Sequence, residues 1–117
     1  MILNHINLTV TDVIEAENFL ITYFGMKSER KAGENKNFGA VYDDNGLVLT
    51  LMKAARSVKV EYPGYFHIGF IQESEARVDE IHQRLKADGY DVPAPERHHA
   101  WTFYVDAPGG IRVEVLA

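Results

Sequence analysis

From Asn4 to Val10 apolar and polar side chains alternate, with Ile6, Leu8 and Val10 on one side and His5, Asn7 and Thr9 on the other. A period of two predicts a half-buried strand. Asp12 follows His5 by seven residues and Glu15 follows Asp12 by three, a capping-box-like opening for a helix. Phe19, Leu20, Tyr23 and Phe24 give that helix its apolar stripe, and Gly25 is a natural stop. The same pattern returns later in the chain. Phe66-His67-Ile68-Gly69-Phe70-Ile71 reads as a strand, and Ser74, seven residues after His67, is a good N-cap. Val78, Ile81 and Leu85 recur at helical spacing before Gly89.

Each helical stretch gives way to strands and turns. Asp43-Asp44-Asn45-Gly46 is a hairpin signal ahead of Leu47–Met52, and Ala107-Pro108-Gly109-Gly110 is another ahead of Ile111–Leu116. The two registers agree: 25 residues separate Gly25 from Thr50 and 25 separate Gly89 from Glu114. Gly46 and Gly110 each stand four residues before those positions. The chain therefore reads as an internal repeat, two βαβββ modules over about 1–53 and 64–117, joined by Lys53–Pro63 within a single domain spanning 1–117. The fold class is α+β. Further short strands are expected near 26–31, 37–42 and 90–94.

Sorting each strand by parity yields one wholly apolar face, including Leu8, Val10, Leu49, Leu51, Phe66, Ile68, Phe70, Trp101, Phe103, Val113 and Val115, which must pack beneath the helices. The opposite face is mixed: Leu3, His5, Asn7, Val48, Thr50, Met52, Tyr65, His67, Ile71, Thr102, Tyr104, Arg112 and Glu114. A sheet open to water accounts for such a face in general. Both modules, however, put a histidine at the same place in the first strand, and the second puts Glu114 on the matching face of its last. That coincidence points to a site.

Composition narrows the classes. With 117 residues, 46% of them hydrophobic and 25% charged, the chain fits one globular domain with its own core. The absence of cysteine excludes a disulfide scaffold, thiolate metal sites and thiol catalysis. Twelve basic against seventeen acidic residues gives 12 − 17 = −5, a charge unsuited to nucleic acid or to an anionic membrane surface. Met1-Ile2-Leu3-Asn4 lacks a charged leader and no apolar run reaches the ~18 residues of a membrane span, so the expected location is the cytoplasm.

Asn4-His5-Ile6, Phe66-His67-Ile68 and Pro108-Gly109-Gly110-Ile111-Arg112-Val113-Glu114, in this order over paired modules, resemble the vicinal oxygen chelate superfamily of glyoxalases, extradiol dioxygenases, fosfomycin-resistance transferases and bleomycin-resistance proteins. The resemblance implies two βαβββ modules forming a curved mixed-sheet cleft. It also implies a divalent ion (Fe, Mn, Ni or Zn) on His5, His67 and Glu114, a small-molecule substrate with two adjacent oxygens, and a homodimer that pairs the first module of one chain with the second of another. Thr50 stands where glyoxalases place a fourth ligand, a glutamate, which counts against glyoxalase action. Asn7 replaces the threonine of fosfomycin enzymes, and the basic segment those enzymes carry after the last strand is missing, which counts against phosphonate chemistry. The leading reading is an extradiol dioxygenase-like enzyme. The alternatives are a metal-free drug-binding protein of the bleomycin-resistance type and a fosfomycin-resistance-like transferase.

Tyr104, His98 and His99 are the acid–base candidates, each with an ordinary alternative as a pocket-wall hydroxyl or a surface imidazole. Asn7, Thr50, Tyr65 and Arg112 are expected in the substrate cleft, Arg112 alternatively as a paired surface cation. Phe19, Tyr23, Phe24 and Trp101 read as core aromatics, and His82, among Gln83, Arg84 and Lys86, as part of a solvated helix face.

Overall fold

The computed structural model describes residues 1–29 and 34–117. The chain divides into two compact units, Met1–Tyr62 with Pro108–Gly110, and Pro63–Ala107 with Ile111–Ala117.

The first unit contains β1 (His5–Val10), α1 (Val13–Phe24), β2 (Phe38–Tyr42) and β3 (Val48–Lys53). Its sheet has the order β1-β3-β2, with β1 parallel to β3 and β2 antiparallel to it. The Asp12 side chain accepts the Glu15 N–H and so satisfies one of the free donors of the first turn of α1. Gly25 closes the helix at φ 65°, a left-handed conformation that carries little penalty only without a Cβ. Val13, Ala16, Phe19, Leu20 and Tyr23 are buried with Leu8, Val10, Val41, Leu49 and Leu51. The Tyr62 hydroxyl donates to the Thr9 carbonyl at 2.7 Å and accepts the Thr9 N–H at 2.9 Å, completing the backbone pairing of β1 at that residue.

The second unit repeats the plan with β4 (Ile68–Ile71), α2 (Glu75–Ala87), β5 (Glu96–Arg97), β6 (Trp101–Ala107) and β7 (Ile111–Leu116), in the order β4-β7-β6-β5. Ser74 caps α2 by accepting the Arg77 N–H, and Val78, Ile81 and Leu85 pack with Phe103, Val105, Val113 and Val115. In each unit the strand before the helix lies parallel to the last strand, which forms a hairpin with the one preceding it.

Several expectations change. The strand near 26–31 reduces to a single bridge between Lys27 and Tyr42, and residues 30–31 lie outside the described residues. No strand forms at 90–94. Pro93 and Pro95 lack the N–H a ladder needs, and pairing begins at Glu96. His82 is buried at 6% exposure, not solvated, because it follows Ile81 and Val78 onto the inner face of α2 and meets the Phe103 ring edge-on at 5.3 Å. Trp101 is half-exposed rather than core: its indole N–H donates to Asp79 at 2.8 Å and the Arg97 guanidinium lies over its ring. Phe66, Ile68 and Phe70 are half-buried.

Candidate functional site

Glu114 sits in the middle of β7, opposite Gly69 on one side and Tyr104 on the other. It is a carboxylate only 5% exposed, and burial of an unpaired charge is costly. The donors that offset this come from β6 and the turn before it. Thr102 Oγ1 lies 2.8 Å from Glu114 Oε1, His99 Nε2 lies 2.7 Å from the same oxygen, and the Tyr104 hydroxyl also donates to the carboxylate. On the other oxygen, His67 Nε2 stands 3.3 Å from Oε2. Burial pushes the Glu114 carboxyl up, but the hydrogen bonds from Thr102, Tyr104 and His99 outweigh it and hold the group below the usual carboxylate range. Tyr104 shifts oppositely. Burial, then its bond to Glu114 and the charge there, raise the phenol and keep it protonated. Its ring meets the His67 ring edge-on at 5.4 Å.

The tautomer of His67 follows from its neighbours. Its Nδ1 is 2.9 Å from the Tyr65 carbonyl, which can only accept, so Nδ1 carries the proton. In the neutral imidazole Nε2 then presents a lone pair toward Glu114 Oε2. Two acceptors at 3.3 Å repel unless a cation or a second ring proton lies between them. His5, in the first unit, is held alike: its Nδ1 is 3.0 Å from the Asn4 side-chain oxygen. An Nδ1 tied to an oxygen with Nε2 bare is the form in which histidine binds metals, and two neutral imidazoles with a carboxylate suit a divalent ion with positions left open. His67 and Glu114, held together in the second unit, offer donors such an ion accepts, and His5 has the same form in the first; among the described residues no three His, Cys, Asp or Glu side chains are gathered as a metal-holding cluster.

Of the other expected site residues, His99 is brought to Glu114, whereas His98 is exposed and turned to Glu96, 3.1 Å away. Tyr65 contributes its backbone carbonyl while its side chain is fully exposed. Arg112 pairs with Asp106 at 2.9 Å across the β6–β7 hairpin, and that carboxylate raises its pKa. Asn7 and Thr50 are register partners on β1 and β3, where the Thr50 hydroxyl donates to Asn7 Oδ1 at 2.7 Å and leaves the amide NH2 as a donor. Sequence reasoning gave Thr102 no role. The signal was present, since Thr102 shares the parity of Tyr104 and Glu114, but a buried threonine is ordinarily core.

The sequence matches the model of the Glyoxalase/Bleomycin resistance protein/Dioxygenase superfamily over residues 2–115. Among solved structures, a possible glyoxalase from Bacillus cereus is 49% identical, with a TM-score of 0.89 over 100% of this chain and 99% of that one. The E126Q mutant of the fosfomycin resistance protein FosX from Listeria monocytogenes, complexed with Mn(II) and 1S,2S-dihydroxypropylphosphonic acid, is 26% identical, with a TM-score of 0.78 over 100% of this chain and 94% of that one. Among curated proteins, a 4-hydroxy-tetrahydrodipicolinate reductase from Cupriavidus necator is 30% identical over 86 residues, 74% of this chain. The match spans about a third of that protein's length (31%). With the repeated βαβ plan and the histidine–carboxylate site in view, the match over residues 2–115 establishes that the chain belongs to the Glyoxalase/Bleomycin resistance protein/Dioxygenase superfamily.

Proposed function

We propose that this protein is a divalent-metal-dependent enzyme acting on a small substrate that offers two adjacent oxygens, with ring-opening dioxygenation of a catechol-like diol as its leading reaction. The observation that carries this reading is the tethering of Nδ1 in both His5 and His67, which leaves each Nε2 as a bare donor atom, the second facing the ionised Glu114. His5, His67 and Glu114 are the proposed ligands, with His5 drawn from the same chain or from a second copy. Support for the substrate class comes from FosX, whose complex pairs Mn(II) with a vicinal diol. A divalent ion held there supplies Lewis-acid stabilisation of charge on the paired substrate oxygens and, where it is iron, one-electron chemistry.

The chain's own residues do the rest. Glu114 stays ionised because Thr102, Tyr104 and His99 donate to it. Tyr104 stays a phenol and gives its single O–H to Glu114, so it holds that carboxylate in place and does not act as a base. His99 gives its Nε2–H to Glu114, and its free Nδ1, on a side chain more than half exposed, is the proposed acceptor of the proton a diol loses on binding. Cleavage breaks one ring C–C bond beside a hydroxylated carbon and inserts both atoms of dioxygen. The diol supplies the electrons, so no other reductant is required.

A second reading has its own observation. Protein donors already satisfy Oε1 of Glu114 without any ion, which favours a metal-free binder. One experiment separates the two. Chelator-treated protein is titrated with Mn(II), Zn(II), Ni(II) and Fe(II) while stoichiometry and Tm are followed. The enzyme reading expects one ion per site and a Tm rise that His67→Ala and Glu114→Ala abolish and His98→Ala keeps. Anaerobic Fe(II) loading, a catechol panel and then oxygen should give ring-cleavage absorbance. No ion bound, with tight uptake of a small molecule by the chelated protein, establishes the binder instead.

A further inference from the structure

The β1-β3-β2 sheet of the first unit aligns three rows of side chains on its mixed face: His5–Val48–Tyr42, Asn7–Thr50–Ala40 and Thr9–Met52–Phe38. At the β2 end of these rows lies a cavity of about 410 Å³, lined by Ser28, Glu29, Phe38, Ala40, Tyr42 and Val48. Its volume is within the range of small-ligand pockets. Phe38 and Tyr42 stand two residues either side of Ala40 on one strand, so their rings bound a slot whose floor is a methyl group. Four residues of strand separate them by about 13 Å, enough to admit a flat ring between their side chains. Phe38 is 41% exposed, so its ring is open to a ligand in the cavity. Neighbouring strands lie about 4.8 Å apart, so the Tyr42 end of the slot begins two strands, about 10 Å, from His5 on the same face. Glu29 is the only charged residue among the described lining residues.

From this juxtaposition we infer that the Phe38–Ala40–Tyr42 slot is the specificity pocket for the carbon skeleton of the substrate, and that it selects a flat, uncharged apolar group. Ala40 is the determining residue, because any larger side chain there fills the slot. This rests on the proposed placement of the paired oxygens toward His5. It adds which part of the molecule the chain recognises away from the reacting oxygens. A carboxylate on the skeleton is disfavoured by Glu29.

The probes are 4-ethylcatechol and 3,4-dihydroxyphenylacetate, which share ring and arm but differ in charge. Each is titrated into chelator-treated, isotope-labelled protein while backbone amide shifts are followed. The expected result is saturable shifts at Ala40, Tyr42 and Val48 with 4-ethylcatechol, at least tenfold weaker binding of the acid, and at least tenfold weaker binding of 4-ethylcatechol by Ala40→Phe. The ion-induced Tm rise of Ala40→Phe should match that of the natural protein, which shows the variant folded and its metal ligands intact. Shifts absent from these amides, equal affinity in Ala40→Phe, or equal or tighter binding of the acid overturns the inference. Shifts that follow protein concentration rather than probe identify a second copy as the occupant and overturn it too. Failure of the metal reading leaves a distinct trace, because slot binding is measured without metal and would persist while the Tm rise was lost.

Discussion

Replacing Glu114 with glutamine keeps the shape of the buried group and removes its charge, which isolates what the charge contributes. Hydrogen bonds to a charged acceptor are worth about 1.5–3 kcal/mol and neutral ones about 1 kcal/mol, so three donors turned from one class to the other forfeit about 1.5–6 kcal/mol in gross terms. Part of this returns. The variant no longer buries a charge, and its NH2 can face the bare Nε2 of His67 in place of Oε2. The bonds from Thr102, Tyr104 and His99 outweigh burial in setting the pKa of Glu114, so the folded protein favours its ionised form over the neutral acid. A loss of about 1–2 kcal/mol at pH 7 is expected, equivalent to roughly 4–8 °C in Tm for a chain of this length. The pH dependence fixes the sign. A carboxyl held below its ordinary value in the folded protein stabilises fully above the unfolded pKa of about 4.3, and the contribution fades as pH falls through the folded value. The stability gap between natural protein and Glu114→Gln should therefore close as pH drops from about 5 toward 3. Urea unfolding of chelator-treated protein, followed by fluorescence of Trp101, the only tryptophan, measures it. A gap that stays constant or widens on acidification refutes the reasoning.

Three other expectations follow from packing. Gly39→Ala would bring its Cβ to 2.6 Å from Glu17 Oε1 and 2.9 Å from Val13 Cγ1, both on α1, so it should cost about 1–3 kcal/mol in chemical denaturation, partly recovered by Glu17→Ala. His82→Leu removes a buried Nε2 that has no partner and should raise stability by about 1 kcal/mol; a loss would show that the ring nitrogen is satisfied by water. Ile2, Leu3, Tyr65 and Ile71 expose large apolar side chains, and light scattering at micromolar concentration is expected to report a homodimer; a monomer rejects that assembly.

The elements that sequence revealed best were those fixed by local rules. Asp12 and Ser74 as caps, Gly25 as a stop, and the alternation of β1 and β7 each involve residues within four positions of one another. The internal repeat extended that reach, since equal spacing from Gly25 to Thr50 and from Gly89 to Glu114 placed corresponding strands in corresponding registers. Misreadings arose where a tertiary partner decides. His82 has charged neighbours in sequence, yet the helical period carries it under Phe103. Trp101 has the parity of a core residue, but Asp79 and Arg97 hold its ring at the surface. His99 follows a proline-rich approach that reads as a surface loop, and only the fold brings it to Glu114. Thr102 went without a role because strand parity puts it on the face of Glu114 without saying that its hydroxyl would reach the carboxylate.

The repeat also explains why a carboxylate at position 50 would not by itself recreate the fourth ligand of the glyoxalases. In the second unit, the residue two beyond His67 is Gly69, and Glu114 stands opposite it. A Cβ built on Gly69 meets Glu114 Oε2 at 3.6 Å, ordinary contact, so the carboxylate occupies space that a longer side chain would contest. In the first unit, the residue two beyond His5 is Asn7, opposite Thr50, and the two side chains bond at 2.7 Å across the space that Gly69 leaves open. Thr50→Glu alone therefore sets a longer side chain against Asn7 and breaks that bond, whereas Asn7→Gly with Thr50→Glu reproduces the second unit's pairing. The two substitutions share one partner and should be strongly non-additive. In metal titration of chelator-treated protein the double variant is expected to bind a divalent ion at least tenfold more tightly than the natural chain, and Thr50→Glu alone to gain less. Additive effects, or equal gains from the single and double variants, would show that Asn7 does not control access of a carboxylate to the proposed ion.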